Sequence, residues 1–253
     1  TLSNAHLAGA NLQGANLGWV NLSGAFLSRI NLQDADLNYA NFSSANLSDA
    51  LLCRAKLDLA NLTESDLRGA DLSLASMDEA DLAGAVLEGA IVSGASLVEA
   101  NFTKVTAERV ALNGANLERA NLVESNLSYA NLERAALQGA NLGWANLSKT
   151  NLEKANLSEA NLSGTNLDDA RLNGANLAGA FLFGARVSLK ALSTARSLAN
   201  ATMPDGTKYE DWVRRQSGEY VPPAPAPANG GQLPPDYALT DSPLDYTPQP
   251  DEF

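Results

Sequence analysis

The chain has 253 residues, a formal net charge of −12, 45% hydrophobic but only 6% aromatic residues, and one cysteine, Cys53. A single cysteine excludes an internal disulfide framework, no apolar run approaches the roughly 18 residues a transmembrane helix needs, and the acidic balance argues against direct contact with nucleic acid. No signal peptide is visible, so a soluble protein of one or two domains, cytoplasmic by preference, is expected.

From Leu2 an apolar residue recurs every five positions, without a slip, as far as Val187, giving 38 positions that are nearly all Leu. The exceptions are Phe42, Met77, Val92, Phe102, Val187 and one small residue, Ala107. Two residues before each stands a second column, mostly Ala, with Ser65, Thr150 and Thr165 among its substitutes. A period of five suits neither a helix nor a flat strand. Around a helix axis each step of five would turn the leucine by about 140°, so no apolar face would form. Ala and Leu as the two inward points of a short strand, followed by a corner of Asn, Asp, Ser and Gly, do fit. A chain that bends every five residues must coil, and it buries its columns only by stacking coil on coil.

The unit reads Ala10-Asn11-Leu12-Gln13-Gly14, and again Ala115-Asn116-Leu117-Glu118-Arg119 and Ala155-Asn156-Leu157-Ser158-Glu159. It resembles the A-(N/D)-L-x-x motif of the pentapeptide-repeat proteins over about three quarters of the chain, and the run Ala201-Thr202-Met203-Pro204-Asp205-Gly206-Thr207 resembles the closing segment of cyanobacterial members. The resemblance implies an all-β solenoid: a right-handed quadrilateral parallel β-helix with four pentapeptides per coil. Thirty-eight units then make about nine coils over residues 1–188, a solid rod roughly 45 Å long at a strand spacing of ~4.8 Å. Such a rod leaves no room for an internal small-molecule site. The chain opens in mid-repeat at Thr1 without an initiator methionine. A trimmed or missing upstream segment is therefore expected, with a partner, a second copy or a further domain covering the first coil's edge.

Residues twenty apart stack in such a coil. Trp19, Tyr39 and Leu59 then share one outward column, either as scattered surface residues or as an apolar contact strip. Residues 58–99 carry nine acids against Arg68 alone, whereas residues 101–200 carry eight acids and ten bases. Within the acidic band Asp58 stacks with Asp78, and Glu79 with Glu99. That face either keeps the rod soluble or addresses a basic partner. Residues 86–112 are the weakest repeats: Val86, Ile91, Val98 and Ala111 stand at outward positions and Ala107 shortens the Leu column. This coil is therefore either loosely packed or filled by neighbours such as Val105 and Val110, and the stretch is a candidate for a bend or a contact. Beyond Ala111 the columns Asn121, Asn141, Asn161 and Asn116, Asn156, Asn176 invite amide hydrogen bonds between coils. Arg134 above Lys154 and Glu133 above Glu153 invite ion pairs.

The register fails after Val187, and Leu198 and Met203 recover it with a one-residue offset. Pro204-Asp205-Gly206 reads as a turn, and 209–215 as a short helix laying Trp212 and Val213 over the last coil. Residues 189–217 are thus the expected C-terminal cap. Residues 218–253 hold nine of the ten prolines, six acids and no Lys or Arg, the composition of a disordered tail.

No catalytic constellation emerges. His6 is the only histidine, Cys and His clusters are absent, and the glycines recur at corners and form no phosphate loop. The expectation is a non-enzyme without cofactor or metal. Three classes fit: a protein-binding scaffold or regulatory module, which the resemblance favours; a DNA-mimicking modulator of a type II topoisomerase, which the resemblance implies for some members of the family; and a rod self-associating through its terminal coils. The candidate partner-binding residues are Asp58, Asp78, Glu79, Glu99, Trp19, Tyr39 and Leu59.

Overall fold

The computed structural model describes residues 2–216; the Pro-rich tail expected at 218–253, and Ser217 of the closing segment, lie outside the described residues. Each pentapeptide repeats one hydrogen-bonding scheme. The Leu22 N–H donates to the Asn41 carbonyl one coil on (2.7 Å), and the Gly24 N–H to the Ser43 carbonyl (2.8 Å). The Ala25 N–H closes a turn on the Leu22 carbonyl (3.1 Å), and the Phe26 N–H reaches the Ala5 carbonyl one coil back (2.9 Å). The remaining donor, Ser23 N–H, is taken by Asn21 Oδ1 at 3.0 Å. All five backbone donors of the unit are therefore paired, and the Asn or Asp before each Leu is there to pair the fifth.

The turn holds its third residue in the left-handed region, from φ +54° at Ser44 to +70° at Gly174 within the repeats. Glycine takes this conformation freely, whereas Trp19, Tyr39 and Leu59 occupy the same position at a cost of about 1 kcal/mol each. Parallel bridges join residues twenty apart from His6 with Phe26 to Asn166 with Arg186. Four pentapeptides therefore complete one turn, giving four faces and four corners. The faces carry outward residues 6 and 8, 11 and 13, 16 and 18, and 21 and 23, each with its equivalents every twenty residues.

Inside, the Leu and Ala columns are fully buried from Leu22 to Leu182, while Leu7, Leu12 and Leu17 of the first coil are half-buried. Ser65, Ser125, Thr150 and Thr165 sit among the alanines and donate their hydroxyls to the carbonyls of Leu62, Leu122, Leu127 and Leu142 at 2.7–2.9 Å. No buried hydroxyl there is left unpaired, which removes the main cost of placing it inside. A shallow hollow of about 420 Å³, lined by Ala8, Ser28, Arg29 and Asp49 among others, lies open on the outer surface.

Of the two alternatives for the coil around Ala107, loose packing or filling by neighbours, the structure has the second. The ladder runs through it unbroken, Ala107 N–H meeting the Asn126 carbonyl at 2.8 Å, and Ala107 is buried together with Phe102, Val105 and Val110. Two valines in the Ala column and a phenylalanine in the Leu column supply the volume that Ala107 lacks.

After Val187 the chain makes a short helix, α1 (Leu189–Leu192), with Ser188 as N-cap accepting from the Ala191 N–H at 3.1 Å. The extra residue is visible in the pairing: Asn176 bridges Ser197, and Phe181 bridges Thr202, both 21 apart. The chain then reverses through Pro204, Asp205 and Gly206, the last at φ +83°, so that Thr202 pairs antiparallel with Lys208. A second helix, α2 (Tyr209–Gln216), follows. Tyr209 and Trp212 pack against the core, but Val213 points outward and 40% of it is exposed, contrary to its expected place over the last coil. With Trp212 turned inward, Val213, one residue or about 100° further round the helix, must face away.

Candidate interaction surface

The corner position projects its side chain away from the rod, and five of the seven candidate residues occupy it: Trp19, Tyr39, Leu59, Glu79 and Glu99, all at φ between +56° and +61°. They follow one another coil by coil along a single corner. The Trp19 and Tyr39 rings are stacked, with centroids 4.0 Å apart and planes within 5°, and Trp19 remains 74% exposed. Leu59 continues the strip. Glu79 follows with no ion pair among the described residues, and Glu99 meets Arg119 at 3.3 Å. The column therefore passes from apolar to acidic over five coils.

Asp58 and Asp78 differ. They lie on the adjoining face, where Lys56, Ser76 and Ser96 stand in place of the Asn or Asp that normally pairs the fifth backbone donor. The residue one coil back supplies the missing acceptor. Asp58 Oδ1 accepts from the Asp78 N–H (3.1 Å) and the Ser76 hydroxyl (2.5 Å), and Asp78 Oδ1 accepts from the Val98 N–H (3.0 Å) and the Ser96 hydroxyl (2.5 Å). Asn38 starts the relay by accepting from the Asp58 N–H at 2.9 Å. These two carboxylates brace the coil, and the sequence pattern that reveals it is the run of non-Asn residues at 56, 76 and 96.

The rest of the acidic band is partly neutralised. Arg68 binds Asp66 at 2.5 Å and holds that carboxyl below the usual carboxylate range, and Asp81 accepts from the Asn101 amide at 2.9 Å. The bidentate Arg54 lowers Asp34 likewise (2.7 and 2.8 Å). In the second half the amide ladders form as expected, Asn161 to Asn141 at 3.0 Å and Asn176 to Asn156 at 2.9 Å, whereas Asn116 instead accepts from the Glu118 N–H and Asn121 donates to Thr103. Glu133 pairs with Arg134 at 3.6 Å, but Glu153 pairs with Arg171, and not with Lys154, because Arg171 sits on the same face one coil on.

Sequence reading passed over two arrangements. On one corner Arg109 and Lys149 lie over the Tyr129 ring from either side, at 5.2 and 5.1 Å from its centroid. The Lys149 ammonium also donates to the Tyr129 hydroxyl at 3.0 Å, which raises its pKa. Their spacing of twenty is the signal that would have found them. On another corner the exposed Trp144 lies over Gly164, with Phe181 and Phe183 nearby on the fourth face. Among the described residues no group of His, Cys, Asp and Glu is placed to hold a metal, and no helix is long and apolar enough to cross a membrane.

The family model described as pentapeptide repeats matches this chain in overlapping segments that together span residues 1–188. No curated protein matches the chain. Among solved structures, HetL from the cyanobacterium Nostoc sp. strain PCC 7120, a pentapeptide-repeat protein involved in regulating heterocyst differentiation, is 30% identical. The match covers 81% of this chain and 92% of HetL, with a TM-score of 0.31. A thylakoid-lumen pentapeptide-repeat protein of Arabidopsis thaliana is 32% identical over 46% of this chain and 71% of its own, with a TM-score of 0.33. The plasmid-mediated fluoroquinolone-resistance protein QnrB1 is 15% identical over 85% and 98%, with a TM-score of 0.45.

Proposed function

The chain belongs to the pentapeptide-repeat family of right-handed quadrilateral β-helices, and from that premise we propose that it is a non-catalytic protein-binding scaffold or regulatory module. The rod comprises about nine coils and is closed by the segment 189–217 as a cap. Its partner docks along the corner that begins at Trp19. The observation that supports this reading most is the continuous strip itself: a stacked Trp19 and Tyr39 pair, exposed Leu59, then Glu79 and Glu99. Exposed aromatics in register on a rigid frame are the residues that anchor protein interfaces.

The topoisomerase-mimic reading draws on the acidic band, but Asp58 and Asp78 are engaged in bracing the coil, and the mixed charge of residues 101–200 interrupts the negative surface such a mimic needs. Retention of a partner from the cell lysate of the source organism tests the proposal, with three baits: the full chain, Trp19→Ala/Tyr39→Ala, and Glu79→Lys/Glu99→Lys. A partner held by the first and lost by either variant supports docking on this corner. Equal retention by all three, or by none, overturns it. Inhibition or protection of gyrase by the full chain would instead promote the mimic.

A further inference from the structure

The fourth face differs from the other three in carrying almost no charge. Between Asn101 and Phe183 its ten outward positions hold Asn, Thr, Val, Gly, Ser and Phe, and no ionisable group. Its polar groups are held in place. Asn161 donates one amide N–H to Asn141 Oδ1 at 3.0 Å, and the Ser163 N–H and hydroxyl both donate to Asn161 Oδ1. A primary amide has two N–H groups, and a hydroxyl that donates keeps its acceptor lone pairs. Asn141 and Asn161 therefore offer amide donors in register one coil apart, at ~4.8 Å, and Ser163 keeps acceptor lone pairs, whereas Val123 and Gly143 stand at its position in the two coils before.

Aromatic surfaces border this array at its C-terminal end. Trp144 stands on the flanking corner, 72% exposed, and its ring lies flat on Gly164, where an added Cβ would fall 2.5–2.8 Å from three ring atoms. The next residue on that corner is Gly184, so no side chain follows the indole toward the C-terminal end, and Glu124 stands one coil before it. Phe181 and Phe183, about half exposed with centroids 6.4 Å apart, close the face, and Phe183 rests on Gly206.

A flat face without charge, with aromatic platforms and a few fixed hydrogen-bonding groups, matches one ligand chemistry well. Sugar rings present apolar C–H faces that stack on aromatic rings and edge hydroxyls that both donate and accept. A charged ligand would find no counter-charge on the face itself, and an apolar one would leave the amides unpaired at a cost. We propose that the C-terminal half of this face binds a neutral polysaccharide strand, with Trp144 and Phe183 as stacking platforms and Asn141, Asn161 and Ser163 as its hydrogen-bonding groups. The site is separate from the strip at Trp19, Tyr39 and Leu59 and stands independently of it.

Affinity electrophoresis of the full chain through native gels containing hydroxyethyl cellulose, xylan, galactomannan or soluble starch tests this. Retardation by at least one neutral glycan is expected, unchanged by raised salt because no ion pair is involved. Trp144→Ala and Phe183→Ala should each weaken it by about tenfold, the effect of losing one aromatic stacking contact. Gly164→Ala, which removes no aromatic ring but lifts the indole from its seat, should weaken it too, and Trp19→Ala should leave it unchanged, with thermal melts confirming that every variant is folded. Passage of the full chain unretarded through all four gels overturns the proposal. So does retardation that Trp144→Ala leaves undiminished, or that raised salt abolishes. Capture of a protein through Trp144 without any glycan retardation would assign the face to a protein partner and also overturn it.

Discussion

Asp78 shows how one residue can look functional in a sequence and be structural in the fold. Its Oδ1 pairs the Val98 N–H and also accepts from the Ser96 hydroxyl, which occupies the place where most coils have an Asn or Asp acceptor. Asp78→Asn keeps an acceptor there and is expected to leave stability nearly unchanged. Asp78→Ala leaves the Val98 N–H without its partner and should cost about 1 kcal/mol or more, read from urea denaturation at neutral pH. If the two variants unfold at the same urea concentration, the bracing role is wrong. The same reasoning explains why charge reversal belongs at Glu79 and Glu99: a lysine at 58 or 78 would disturb the coil as well as the surface potential.

Among the elements, the coil around Ala107 and helix α2 carry the sharpest expectations. Because Phe102, Val105 and Val110 already fill the space, Ala107→Leu should overpack the coil and destabilise it by about 1–3 kcal/mol. Adding Val105→Ala and Val110→Ala should recover much of that loss, as thermal melts of the single and triple variants would reveal; a stabilised single variant would mean that a void is present. In α2, Glu210 Oε1 accepts from the Asn200 N–H at 2.8 Å, and this bond lowers the carboxyl's pKa. A lowered folded pKa contributes stability above the ordinary carboxylate value, which is lost as pH falls through the folded one. Trp212 fluorescence should therefore report loosening of α2 below about pH 4, and Glu210→Gln should lack that component. The inward columns, the need to coil and even the one-residue offset after Val187 were legible in the sequence, since each follows from spacing alone, whereas the four sides of the coil came from the family resemblance. The antiparallel reversal at Thr202 and Lys208, the inward turn of Trp212 at the expense of Val213, and the relay through Asn38, Asp58 and Asp78 were not. Each depends on which of several nearby groups wins a hydrogen bond or a packing site, and periodicity carries no information about that.

For the rod formed by the repeats, three lengths matter separately. Deleting residues 121–140 removes one whole turn and rejoins every face in register, so a cooperative melt within a few degrees of the parent is expected. Deleting residues 121–125 keeps Leu and Ala inward but rotates everything beyond by one side, parting Arg109 from Tyr129 and removing Asn121 together with its bond to Thr103; folding should persist with a lower melting temperature. Deleting three residues sends Leu outward and should abolish the cooperative melt. A five-residue deletion as stable as the twenty-residue one would mean that the surface ladders contribute nothing. The twenty-residue pairing thus gives heredity a simple set of moves. Duplication or loss of twenty residues changes the reach of the molecule and leaves each face's chemistry as it was, five residues carry a binding patch round to a new side, and other lengths are purged because the chain does not fold. Length and surface can then drift independently, and descendants of one ancestral rod can come to serve unrelated partners without ever redesigning the interior.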